Sequence, residues 1–97
     1  MITLPATDEL LAIARRIIWF EPPEQALSDP IRFLAYAMAR ATAEDMVIIR
    51  RYVSNLDFIA ALDAAPPGII DPRSWSYWNL VIANRYPAPP MPTRRFD

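Results

Sequence analysis

A chain of 97 residues with a formal net charge of -1 fits one hydrophobic core and leaves no room for a second independent domain. Cysteine and histidine are absent and all ten basic residues are arginine, which excludes disulfides, thiolate or imidazole metal sites, thiol nucleophiles and Schiff-base lysines. The near-neutral balance provides no global attraction to DNA or to an anionic membrane.

The single glycine, Gly68, argues against a hairpin-rich β fold, because tight hairpins need positive-φ positions. Helix entries recur instead. Thr7 stands before Asp8-Glu9, Asp29 before Pro30 and Asp71 before Pro72, while Thr42 with Asp45 and Ser54 with Asp57 approximate capping boxes.

The first helix is expected over 8–20, with Leu10, Ile13, Ala14, Ile17 and Ile18 as its apolar stripe and Arg15 and Arg16 facing away. Glu21-Pro22-Pro23 ends it, and a single turn follows around Glu24 to Leu27. A second helix over 30–41 buries Ile31, Leu34, Ala35 and Met38, its stripe widened by Phe33 and Tyr36. A third over 43–53 presents Met46, Val47, Ile49 and Val53, with Arg50 and Arg51 near its carboxyl end, where cations suit the helix dipole. A fourth over 55–65 uses Leu56, Ile59, Ala60 and Leu62, joined by Phe58, and Pro66-Pro67-Gly68 stops it. A fifth over 72–84 carries Trp75, Trp78, Leu80, Val81 and Ile82. Short connections imply packing between sequential neighbours.

From Tyr86 onward four prolines in twelve positions cannot continue a helix, so residues 86–97 should form an extended polyproline II arm. The fold class expected is therefore all-α: a small orthogonal bundle or short helical stack of about five helices over 1–85, followed by a Pro-rich carboxyl-terminal arm. No apolar run approaches the roughly 18 residues that span a bilayer. The segment Met1 to Glu9 lacks a basic region, which favours cytoplasmic residence over secretion.

Carboxylates are the only acid or base candidates of any number, and Glu44, Asp45, Asp57, Asp63 and Asp71 fall at helix starts, solvent faces or turns, where capping explains them. No catalytic residue, cofactor site or metal site is expected, and no Gly-rich phosphate loop occurs. Helices three and four have the outline of a helix-turn-helix, but the second of them carries Asp57 and Asp63 and no arginine. Nucleic-acid binding through Arg73, Ser74, Ser76 and Asn79 of the fifth helix and the arginines of the third is thus the weaker alternative. The arm contains a P-x-x-P-x-R pattern, and a stiff segment of this kind docks on aromatic-lined grooves at small entropic cost. Tyr86, Pro89, Pro90, Pro92, Arg94, Arg95 and Phe96 are the expected partner-binding residues, with self-assembly through the same arm left open.

Trp19-Phe20-Glu21-Pro22-Pro23 and Asp29-Pro30-Ile31-Arg32-Phe33-Leu34-Ala35-Tyr36, together with Ala61 to Gly68 and Pro72 to Leu80, resemble a family of short bacterial proteins of unknown function. The resemblance covers about Arg15 to Arg95. Such proteins are often encoded beside nucleotidyltransferase-fold toxins of the abortive-infection type, which implies an antitoxin or accessory role and a protein partner encoded by an adjacent gene. It supplies no catalytic residues.

Overall fold

Each expected helix entry carries its cap in the computed structural model, which describes residues 3–93. Thr7 accepts from the Leu10 amide at 3.3 Å, Asp29 from Arg32 at 3.2 Å and Asp71 from Ser74 at 3.1 Å. Thr42 and Asp45 exchange hydrogen bonds of 3.1 and 3.0 Å, and Ser54 and Asp57 exchange bonds of 3.4 and 2.8 Å, so aspartate completes both capping boxes.

These entries open six helices: α1 (Asp8–Ile17), α2 (Pro23–Leu27), α3 (Pro30–Arg40), α4 (Ala43–Ile49), α5 (Asn55–Ala64) and α6 (Pro72–Ala83). The described residues form no strand, and the fold is all-α. The expected single turn after Pro22-Pro23 is α2. None of the helices is long and apolar enough to cross a membrane.

Helix α3 is the hub, touching α1, α2, α5 and α6, while α1 also packs on α4. Sequential neighbours α1–α2, α2–α3 and α5–α6 pack together as expected, and α3–α5 and α1–α4 add contacts between elements that are not neighbours in sequence. The core runs through Leu10, Ile13, Ile18, Phe33, Leu34, Ile49, Phe58 and Leu62, all fully buried.

Four elements differ from the periodicity reading. Helix α1 stops at Ile17 rather than 20, where Ile18 leaves helical geometry at φ -125° and ψ 66°, and Arg40 reaches across to donate to the Ile17 carbonyl at 2.9 Å, taking up a backbone acceptor at the helix end. Helix α4 stops at Ile49 rather than 53, and the chain closes through tighter bonds from Arg51 to Ile48 and from Tyr52 to Ile49, still burying Val53. Helix α5 is apolar almost all round, so no stripe selects its inner face. Phe58, Ala61 and Leu62 face inward, and Leu56 is left 76% exposed.

Helix α6 turns Trp75 and Asn79 inward and leaves Leu80 and Val81 in solvent, correcting their place in the expected core. Two indole N–H groups turned toward the protein need acceptors, and both find backbone carbonyls: Trp75 donates to Pro89 at 2.7 Å and Trp78 to Met38 at 2.8 Å. Those two bonds fix the rotation of the helix. Asn84 ends it in the left-handed region at φ 54°, a conformation that asparagine tolerates.

Candidate interaction surface

The chain leaving α1 has only Ile18 to Glu21 before Pro22 and Pro23 open α2. Ile18 turns inward and is fully buried. Trp19, in the turn beyond α1, is 75% exposed, and Phe20 beside it is also exposed.

These rings are held rather than loose. Trp19 meets Phe20 edge to face with centroids 5.6 Å apart, and Phe20 meets Tyr36 of α3 in the same manner at 5.8 Å. The Arg32 guanidinium lies 5.2 Å from the Tyr36 ring and 5.9 Å from that of Phe20, and Arg40 lies 4.9 Å from Tyr36. Glu21 anchors Arg32 through an ion pair, and its carboxylate raises the Arg32 pKa above the usual value. Charge rather than an aligned hydrogen bond satisfies Glu21 Oε1, which is buried and accepts no well-directed bond. The result is an aromatic ridge edged by two guanidinium groups, with the exposed Arg15 and Arg16 on the preceding helix.

Arg16 is tied to α4. It grips both oxygens of the buried Asp45, one of them at 3.1 Å, while Thr42 donates to the same carboxylate. The Arg16 hydrogen bonds, aided by those from Thr42, hold the Asp45 carboxyl below the ordinary range.

Other carboxylates are likewise occupied. Asp57 and Asp71 cap helices, Asp63 pairs with Arg85 at 2.7 Å, and Glu9 receives the Tyr52 hydroxyl and faces Arg51 at 3.5 Å. A cleft of about 790 Å³ lies between the amino-terminal segment, the α2–α3 turn and α5; its two acids, Asp29 and Asp57, are those already used as caps. No group of three or more acidic residues placed to hold a metal ion occurs among the described residues. Of the arginines expected to meet nucleic acid, Arg50 donates to Asn55 at 2.9 Å and covers the Phe58 ring, Arg51 faces Glu9, and Arg73 stays exposed.

The arm residues separate into three groups. Tyr86 is 85% exposed. Pro89, Pro90 and Pro92 lie beside Leu62, Ala65 and Trp75, with the Pro89 carbonyl bound by the Trp75 indole and with Ala88 and Met91 against the core. Arg94, Arg95 and Phe96 lie outside the described residues. The described part of the arm therefore runs along its own α5–α6 junction, with Arg85 at its root bridging Asp63 and Asn79.

No protein-family model, no curated protein and no solved structure matches this chain.

The Trp19–Phe20 ridge was not among the residues expected from sequence to bind a partner. The signal for it was present in the spacing: Trp19 sits half a turn from the Leu10, Ile13, Ala14, Ile17 stripe, and Pro22-Pro23 forces the chain out of the helix within a few residues.

Proposed function

We propose that this chain is a non-catalytic protein-binding module that docks a partner on the ridge formed by Trp19, Phe20 and Tyr36 with Arg32 and Arg40. The observation that carries the reading is the exposure of Trp19 on a pre-arranged aromatic–arginine cluster. Tryptophan, tyrosine and arginine dominate binding hot spots, and side chains already held in place lose little entropy on docking. The helical bundle is then a scaffold for a contact surface, and the arm from Tyr86 through Phe96 supplies a second point of attachment.

The family resemblance indicates a cytoplasmic antitoxin or accessory protein whose partner is a nucleotidyltransferase-type toxin encoded by the adjacent gene. The mechanism is occlusion, with rings filling pockets on the toxin and arginines pairing with its carboxylates or occupying phosphate-binding ground. The test is co-purification with the adjacent gene product, comparing the intact chain, Trp19→Ala with Phe20→Ala, and a chain ending at residue 85. The double substitution is expected to weaken binding by about 2 kcal/mol or more. Undiminished binding by that variant would sink the proposal, and undiminished binding by the truncated chain would remove the arm from it.

A further inference from the structure

The arm is a segment poor in backbone donors, because Pro89, Pro90 and Pro92 lack an N–H and each holds the residue before it in extended backbone. Among the described residues no backbone–backbone hydrogen bond reaches residues 86–93. The arm is gripped by other means. The Trp75 indole donates to the Pro89 carbonyl at 2.7 Å, and Ala88 and Met91 pack against the core. Their spacing of three is the polyproline II period, which puts both on one side of the segment, while Pro89 and Pro90 stay exposed.

The receiving surface belongs to the helices. Leu62 of α5, Ala65 just beyond it and Trp75 near the start of α6 are buried with the arm in place, and with Pro89, Pro90 and Pro92 they border a groove of about 460 Å³. Trp75 is fixed by its own helix: its amide donates to the Asp71 carbonyl at 2.9 Å, and its carbonyl accepts from the fully buried Asn79 at 2.9 Å. An indole N–H donates only, so a buried one needs an acceptor whichever segment supplies it. A held indole donor beside an apolar floor suits polyproline segments, which offer carbonyls and lose little entropy on docking.

We propose that the α5–α6 junction is a binding site for extended, proline-flanked peptide segments, and that the arm is its resident ligand, displaced when such a segment arrives from another chain. The seated arm defines the ligand. It has a small residue at Ala88, a carbonyl for the indole at Pro89, and an unbranched apolar side chain at Met91 with proline on either side. Past Arg85 the described arm is held by that one hydrogen bond and its apolar contacts, and so weakly held a segment opens without unfolding the bundle. The site shares no residue with the Trp19–Phe20 ridge and stands whether or not that ridge binds a partner.

NMR titration of the isotope-labelled full chain with an unlabelled synthetic peptide of residues 86–93 tests the proposal. The peptide is taken to about 10 mM, because a tethered arm presents itself to its own site at about millimolar effective concentration. Signals of Ala88 and Met91 are expected to move to free-peptide positions as the arm is replaced, while the Trp75 indole proton stays hydrogen-bonded. Met91→Glu gives a signed test: in the chain it loosens the competing arm and should lower the apparent peptide Kd about tenfold with the helical circular dichroism unchanged, whereas in the peptide it should raise the Kd about tenfold. On the Met91→Glu chain, where the arm no longer competes, Trp75→Phe should raise the Kd about fivefold. Arm signals that stay in place throughout overturn the proposal, as does a Met91→Glu chain that takes the peptide no more tightly than the unaltered one. Should Met91→Glu fail to fold, Met91→Ala makes the same comparison.

Discussion

Asp45 concentrates several roles in one buried side chain. Its carboxylate closes the capping box of α4 and receives the Arg16 guanidinium from α1, joining two helices that are not neighbours in sequence. Removing it with Asp45→Ala is expected to cost about 2 kcal/mol, mostly from the lost cap, because Arg16 is more than half exposed and its ion pair is screened. Urea unfolding of the variant measures this. The folded-state pKa of Asp45 lies below its ordinary 3.8, so the stabilisation is complete above that value and is lost as the pH falls through the lower folded value. Asp45→Asn should accordingly flatten the acid limb of the stability profile below about pH 4, while leaving the neutral-to-alkaline limb parallel to that of the unaltered chain. The cap was legible in sequence, since Thr42 and Asp45 have capping-box spacing. Its long-range partner was not: an ion pair across 29 residues leaves no local periodicity to read.

Among the elements, helix identity followed from caps and prolines, and helix rotation followed from hydrogen-bonding demands that periodicity does not register. Helices α1 and α3 have a polar side; the buried face of α1 matches its apolar stripe, while that of α3 keeps Leu34, Ala35 and Met38 but takes in Phe33 and Ala37 and leaves Ile31 half-buried. Helices α5 and α6 are apolar around most of their circumference, so Leu56, Leu80 and Val81 looked like core and instead face water. The two indoles of α6 settle its orientation through the carbonyls of Met38 and Pro89. In hydrogen-exchange NMR the indole protons of Trp75 and Trp78 should therefore exchange slowly and that of Trp19 fast. Trp75→Phe keeps an aromatic ring but abandons the Pro89 carbonyl; it is expected to cost about 1 to 2 kcal/mol in urea unfolding. If the Trp75 indole proton exchanges as fast as that of Trp19, the Pro89 carbonyl does not clasp it.

For the whole molecule, the distribution of charge and apolar surface is uneven in a way that separates stability from function. Most carboxylates are committed to caps or ion pairs, and the large buried side chains form one continuous core. What is left outside includes Trp19 and Phe20, then Tyr77, Leu80 and Val81 of α6, and also Val47, Leu56 and Tyr86. Truncating a fully buried residue such as Phe58 to alanine should cost about 3 to 5 kcal/mol, whereas Trp19→Ala should change stability by less than about 0.5 kcal/mol while removing partner binding. Sequence alone directed attention to the arm, where prolines and arginines are conspicuous. The outward place of Trp19 was legible in the spacing, but its assembly with Tyr36, Arg32 and Arg40 joins the turn after α1 to α3 and left no local pattern.

The most direct measurement is acrylamide quenching of tryptophan fluorescence in the free chain and in its purified complex with the adjacent gene product. Trp19 should dominate quenching in the free protein, because Trp75 is buried and Trp78 half-buried. It should become protected in the complex. A stable complex in which Trp19 stays as accessible as before would contradict the assignment of this ridge as the docking surface.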